Sequence, residues 1–166
     1  IYYVEDIIRK EEPFSEWQIR NIHQLILKNI DDDNAGRYRQ QNVLISGATS
    51  TPPDYTLLND KMAQFVDWYN SEAHKLHPIE RAAKVHADFV GIHPFIDGNG
   101  RTSRLLMNLE LLKAGYPPCV ITVESRLAYY EALDQWMSYG KTDAFIHLVS
   151  DAVLEGFKPY QVVLGL

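Results

Sequence analysis

Twelve consecutive residues concentrate most of the chemistry this chain can offer: His93-Pro94-Phe95-Ile96-Asp97-Gly98-Asn99-Gly100-Arg101-Thr102-Ser103-Arg104. His93 carries the ring in this run whose ordinary pKa lies near neutrality, which makes it the candidate general base. Gly98 and Gly100 flank Asn99, so successive backbone amides can turn toward one point without a Cβ in the way, the composition of an anion-binding nest. Arg101 and Arg104 fall three apart on the first turn of a helix, and Asn108 continues that polar stripe. Two cations at a helix start oppose its dipole by roughly 0.3–1 kcal/mol each. A polyanion reverses that penalty, and bidentate guanidinium contacts with a nest of amides suit a chain of phosphates. Asp97, just ahead of the glycines, is placed to hold Mg2+ against those phosphates, because magnesium commonly takes one or two carboxylates plus substrate oxygens.

Each residue also has an ordinary structural reading when taken singly. His93 would be a hydrogen-bonded helix end, Asp97 a turn former, Arg104 a surface charge, and Gly98-Asn99-Gly100 a tight turn. The combination is what points to a site, since a turn needs no histidine, carboxylate, glycine pair and two helix-start arginines together. Phe95 reads as a core anchor that pins the loop. Other phosphate signatures are absent: no Gly-rich segment ends in Gly-Lys-Ser/Thr, and Ser103 stands where a dinucleotide fingerprint wants its third glycine. A histidine metal site built from His86 and His93 with Asp88 or Asp97 fits no standard ligand spacing. His86 reads as helix packing, and His23, His74, His77 and His147 suggest no function at this level.

The elements that must position the run are helical. Ser15 and Gln18 make a capping box, after which Ile19, Ile22, Leu25, Ile26 and Ile30 trace one face of a helix ending at Asp31-Asp32-Asp33. Leu58, Met62, Phe65, Val66 and Tyr69 predict a second helix over about 55–72, and Pro78 opens a third that carries Ile79, Ala82, Ala83, His86, Phe89 and Val90 toward residue 92. Pro94 ends that helix, because the residue before a proline disfavours helical geometry, and this leaves His93 facing the loop. Leu105, Leu106, Leu109 and Leu112 bury a fourth helix that stops at Gly115, and two more are predicted over about 125–139 and 142–156. Val43-Leu44-Ile45, closed by Ser46-Gly47 and followed by Pro52-Pro53, reads as a short β-hairpin or flap. The expected fold is an all-α bundle with that one β excursion.

Composition sets the limits around this reading. A chain of 166 residues, 46% of them hydrophobic, forms one domain and buries roughly 70% of its unfolded surface. Sixteen Lys and Arg against 22 Asp and Glu give a formal net charge of −6, which argues against nucleic acid or an anionic membrane as partner and confines any anion site to a local patch. The single cysteine, Cys119, excludes an internal disulfide framework and a thiolate cluster. Asn108, Glu110, Lys113 and Pro117-Pro118 interrupt the most apolar region, 105–123, so it is no membrane span. The chain reads as soluble, with the cytoplasm as the expected compartment, and its start at Ile1 without a targeting signal reads as a fragment of a longer protein.

The run from His93 to Arg104 matches without a gap the signature of the Fic family, His-Pro-Phe-x-Asp/Glu-Gly-Asn-Gly-Arg-x-x-Arg. Gly36-Arg37-Tyr38-Arg39, the segment 43–53, Trp68, Leu76-His77-Pro78 and Ala114-Gly115-Tyr116-Pro117-Pro118 also resemble family features in family order, and the likeness covers about residues 15–150 of a single catalytic domain spanning 1–166. The resemblance implies the Fic-fold helical bundle with a short β-hairpin flap. It implies a protein adenylyltransferase that moves AMP from ATP to a Ser, Thr or Tyr hydroxyl of a target protein and releases pyrophosphate. By position, His93 would take the proton of the target hydroxyl and Asp97 would hold Mg2+ on the α and β phosphates. Gly98, Asn99 and Gly100 would bind phosphates at the reacting centre, Arg101 the β phosphate and Arg104 the γ phosphate, with Thr102 and Ser103 inside the same nucleotide-binding run. Ile45, Ser46, Gly47 and Ala48 of the flap would lie near adenine and sugar, the target backbone would dock along the flap as an added strand, and Tyr129-Tyr130 matches a tyrosine pair beside the adenine. Tyr129 reads equally well as helix core.

Two departures from the family pattern stand out. No Ser/Thr-x-x-x-Glu-Gly/Asn inhibitory motif occurs, Asp151-x-x-x-Glu155-Gly156 being a near miss at an expected helix end, and the common form of that helix precedes the position of Ile1. Met137 stands where some relatives place an asparagine near the nucleotide. Expected partners are ATP, a protein target and, as an open alternative, a second copy of the chain; neither nucleic acid nor membrane is expected. Removal of AMP, or transfer of another phosphate-linked group, is an alternative use of the same site. A nucleotide-binding sensor or interaction module with little turnover is the alternative of another class, disfavoured by an intact His93 because binding alone needs no base.

Overall fold

A computed structural model describes residues 14–165. The chain order is α1 (Glu16–Leu27), α2 (Leu58–Ser71), α3 (Pro78–Ile92), α4 (Asn99–Lys113), α5 (Arg126–Tyr139) and α6 (Asp143–Leu164), with single 3-10 turns at Tyr55–Leu57 and Ala73–Lys75. Local chemistry sets most boundaries. The Ser15 hydroxyl accepts from the Gln18 N–H at 3.3 Å while the Gln18 side chain accepts from the Ser15 N–H at 3.2 Å, which satisfies two of the orphan donors at the start of α1. His77 and Glu80 make the same reciprocal cap on α3, with Pro78 in the first turn where its missing N–H costs nothing.

α3 and α4 are the axis of the bundle, and two cores lie on either side of them. On one side Ala82, Ala83, Ala87 and Val90 of α3 meet Met107 and Leu111 of α4 and the inner faces of α5 and α6, with Phe145, Val149 and Val153 buried. On the other, Val85 and Phe89 of α3 and Leu106 and Leu109 of α4 pack on Ile19 and Ile22 of α1 and Met62 and Phe65 of α2. Phe95 joins this second core with no exposure, a burial that contributes roughly 1.5–3 kcal/mol and fastens the loop between α3 and α4 to the rest of the molecule. Among the described residues no helix is long and apolar enough to cross a membrane.

Three expectations need correction. Among the described residues there is no strand, so the segment 43–53 is not a β-hairpin. Pro52 and Pro53 bring no N–H to a ladder, and the N–H groups of Thr49 and Ser50 go instead to the Asp134 carboxylate of α5, at 2.7 and 3.3 Å. The segment is an irregular flap with one turn, closed by Ala48 N–H donating to the Ile45 carbonyl at 3.1 Å. Its base is tied by Asn42, which donates to Asp54 at 2.8 Å and accepts from the Tyr55 N–H at 2.9 Å.

The second correction concerns α6, which continues through Gly156 to Leu164. Gly156 is no helix end: a Cβ there would lie 3.2 Å from the Pro117 ring, so the glycine permits close approach of the 115–118 turn to the helix. Asp151-x-x-x-Glu155-Gly156 is accordingly mid-helix. The third concerns α1, which ends at Leu27, so Ile30 lies beyond it and is exposed, and Leu25, inside the helix, faces solvent and not the core.

Candidate active site

The twelve-residue run spans the end of α3, the loop, and the first turn of α4. His93 caps α3 in the left-handed region, φ 51° and ψ 57°, with its N–H still donating to Phe89 at 3.0 Å. That reversal swings its ring out of the helix direction, and Nδ1 then donates to the Val90 carbonyl at 3.2 Å. With the proton fixed on Nδ1, Nε2 keeps its lone pair. Burial holds the imidazole pKa below its ordinary value, outweighing the Val90 bond and reinforced by the Arg39 charge, so the base form prevails at neutral pH.

Gly98 starts α4 at φ 79° with no side-chain cap on the helix, and no acidic side chain occupies the first turn. The leading N–H groups therefore point out of the helix end as donors for an anion. The Asp97 carboxylate lies beside them, accepting from the Gly98 N–H at 2.6 Å and from Arg101 Nη2 at 2.8 Å. Among the described residues no three His, Cys, Asp or Glu side chains gather to hold a metal. One exposed carboxylate next to a helix N-terminus suits Mg2+, which completes its shell with water and phosphate oxygens, and does not suit a resident zinc or calcium cage.

Beyond Asp97, Gly98, Gly100 and Arg101 at the start of α4, the predicted nucleotide-binding set divides in three. Arg104, Tyr129 and Tyr130 line one cavity of about 260 Å3, together with Ile121, Thr122, Val123 and Arg126. Asn99, Thr102 and Ser103 are within the run but their side chains face inward and are buried. Asn99 accepts from the Phe95 N–H at 3.0 Å and donates to the Phe95 carbonyl at 2.8 Å, so its amide clamps the loop and leaves phosphate contact to its backbone. Ser103 Oγ donates to the Gly100 carbonyl at 3.1 Å, and the Thr102 hydroxyl is buried without a partner. None of Ile45, Ser46, Gly47 or Ala48 lines the Arg104 cavity: Ile45 packs on the α5 and α6 side of the core, while Ser46 and Gly47 are exposed. Met137 lines a separate cleft of about 630 Å3, walled by Ser50 and Thr51 of the flap, Trp68, Ile92 and Trp136.

Sequence reasoning gave three residues no role at the site. His23 is fully buried under the loop, its ring stacked on Phe95 at 3.5 Å. Its Nδ1 accepts from the Gly36 N–H at 2.9 Å, so Nε2 carries the proton and donates to the Asp97 carbonyl at 2.9 Å. Gly98 passes so close that a Cβ would lie 3.0 Å from His23 Nε2, a second reason beside φ for glycine there. Arg39 is 3% exposed, donating to the carbonyls of His93 (2.8 Å), Gln41 (2.9 Å) and Pro53 (2.6 Å) while its own N–H donates to Pro94 at 2.9 Å. One guanidinium thus joins the base, the loop and the flap. The third is His86, whose Nε2 lies 2.9 Å from the Tyr129 hydroxyl. His23 could have been found from its place one turn from Ile19 on the apolar stripe; Arg39 stands in the Gly36-Arg37-Tyr38-Arg39 stretch that resembles the family, but no local spacing says that its guanidinium reaches the loop.

These histidines make stability depend on pH. His23, His86 and His93 all have pKa values lowered mainly by burial, His86 to about 3, whereas the unfolded chain takes up protons near the ordinary value. The unfolded state binds more protons below about pH 6.5, so the contribution is fully present above that value and is lost as pH falls. Urea unfolding is expected to give flat stability from pH 8 to 7 and a loss of at least about 1.4 kcal/mol per pH unit between roughly 6 and 5, the slope for one proton. A flat profile down to pH 5 would contradict the burial of neutral rings.

The family model described as Fic/DOC matches residues 13–111. Over 150 residues the chain is 42% identical to "Protein adenylyltransferase Fic" of Nematostella vectensis, covering 90% of this chain and 34% of that one. The protein of the same name from Drosophila willistoni is 42% identical over 134 residues, 80% of this chain and 26% of that one. A solved structure of Fic-1 from C. elegans superposes with a TM-score of 0.86 at 33% identity, covering 99% of this chain and 48% of its own. The chain therefore spans about a quarter to a third of the length of these two curated relatives.

Proposed function

Because the chain belongs to the Fic/DOC family, we propose that it is a single catalytic domain that transfers AMP from ATP to a Ser, Thr or Tyr hydroxyl of a target protein, with release of pyrophosphate. The observation that carries this reading is His93: a neutral imidazole with Nδ1 tied to Val90, and so an Nε2 lone pair, beside an uncapped helix N-terminus with two arginines. The names of the similar proteins, adenylyltransferases, agree with it.

In this reading Nε2 of His93 takes the proton of the target hydroxyl as its oxygen bonds to the α phosphorus. The bond from that phosphorus to the bridging oxygen breaks, and pyrophosphate leaves with both of its phosphates. Amide N–H groups at the start of α4 face the charge that develops on the α phosphate, where preorganised donors count most. Arg101 and Arg104 hold the departing β and γ phosphates. Mg2+ would sit at Asp97 and supply charge neutralisation along the phosphates. Most of the rate enhancement comes from positioning and charge, as in other phosphoryl transfers. Among the described residues, Val43 and Leu44 of the flap make no backbone hydrogen bond, so their N–H and C=O groups are there to offer an extended target segment.

Incubation with Mg2+, cell extract and ATP labelled at either the α or the γ phosphate tests this. The α label is expected to enter protein and the γ label is not. Protein labelled from the γ position would replace AMP transfer by phosphoryl transfer, and binding of ATP without any labelling would favour a sensor.

A further inference from the structure

His86 sits in the middle of α3, fully buried, and no step above uses it. Its ring stacks on Phe145 at 5.2 Å, and Nε2 lies 2.9 Å from the hydroxyl of Tyr129, itself 5% exposed. Nδ1 has no partner in bonding geometry, so the polar contact of the ring is the one at Nε2. A guanidinium can only donate, so a Tyr129 oxygen that meets Arg104 across their shared cavity turns its O–H the other way, to His86. Nε2 is then the acceptor and the Tyr129 O–H the donor. With its proton committed to His86, the Tyr129 oxygen has only lone pairs left to present. Arg104 lines the same cavity as Tyr129, and its guanidinium is close enough to favour the negative form of the phenol.

We propose that His86 and Tyr129 are positioning residues for Arg104: His86 orients the Tyr129 hydroxyl as an acceptor, and that oxygen holds the guanidinium where the terminal phosphate of a nucleoside triphosphate arrives. The relay runs from His86 on α3 through Tyr129 on α5 to Arg104 on the first turn of α4. Arg104 is exposed and long, so without an anchor it samples many rotamers and loses them on binding. The anchor removes part of that loss and acts only on ligands that reach Arg104. It therefore selects triphosphates over monophosphates. The proposal rests on the reading of Arg104 as the γ-phosphate contact.

Calorimetric binding of ATP and of AMP, each with Mg2+, tests it on the parent chain and on Arg104→Ala, His86→Leu, His86→Gln, Tyr129→Phe and the double variant His86→Leu with Tyr129→Phe. His86→Leu and Tyr129→Phe are each expected to weaken ATP about 3–10-fold, the loss of one ordinary hydrogen bond, and to leave AMP unchanged. The double variant should be no weaker than either single one, and His86→Gln, whose amide oxygen can accept from Tyr129, should return ATP affinity close to that of the parent. Tyr129→Phe keeps the ring in the core and carries the test if His86→Leu fails to fold. Equal losses for ATP and AMP, or single losses that multiply in the double variant, overturn the relay while the Arg104→Ala loss stands. Unchanged ATP affinity in Arg104→Ala removes the relay together with the reading beneath it.

Discussion

Replacing His93 by alanine is expected to lower AMP transfer by about 10²–10⁴-fold, the range that a positioned general base contributes, while leaving ATP affinity essentially at the parent value. The two readouts separate because the groups proposed to bind phosphate lie on the other side of the loop, on α4, and make no use of the imidazole. The ring is also expendable for folding: its hydrogen bond to Val90 at 3.2 Å is long, and the contacts that fix the loop come from Phe95, Asn99 and Arg39. Rate of α-label incorporation and calorimetric ATP binding check the prediction. Undiminished transfer would remove His93 from the chemistry, and a parallel loss of ATP binding would make it a structural residue. The parent should also hold its activity below pH 6.5, since the lowered pKa keeps Nε2 unprotonated there, and lose it as pH falls through that shifted value.

The second large effect is expected on stability, from Arg39→Ala. Truncation leaves the carbonyls of His93, Gln41 and Pro53 without their donor in a region where the arginine itself is 3% exposed. Charged donors are worth about 1.5–3 kcal/mol each, but the loop can relax and admit water, so a total of about 3–5 kcal/mol is expected in urea unfolding. Arg39→Lys should recover only a minority of it, because one ammonium cannot span three carbonyls in a fork. Amide exchange should quicken first in 41–53 and in 93–95, the two segments that the guanidinium joins. A loss below about 1 kcal/mol would show that the flap and the loop are held apart from Arg39.

What the sequence made legible follows from range. The six helices obey rules that act within one turn: capping boxes at Ser15 and His77, prolines at 78 and 94, glycines after α4 and α5, and apolar residues at helical spacing. The site run was legible because its residues are adjacent in the chain. The flap was misread because its alternation of β-branched and apolar residues has no partner strand, and a carboxylate 85 positions away, Asp134, takes its N–H groups. His23 meets the loop 74 positions along the chain, at Asp97, and Arg39 meets it 54 positions along, at His93; neither contact has a local period. Asn99 was placed correctly in the run but its side chain went to Phe95, a choice made by packing and not by composition.

The left-handed backbone of His93 bears on how such a domain changes over evolutionary time. Glycine takes that conformation freely, whereas a side chain there costs about 1–2 kcal/mol. A chain under selection for stability alone would exchange the imidazole for glycine and fold better, keeping the amides and arginines of α4 that are proposed to hold nucleotide. On the proposed reading, the path from enzyme to silent nucleotide binder thus runs downhill in folding energy, and selection on turnover is what keeps a histidine at this turn.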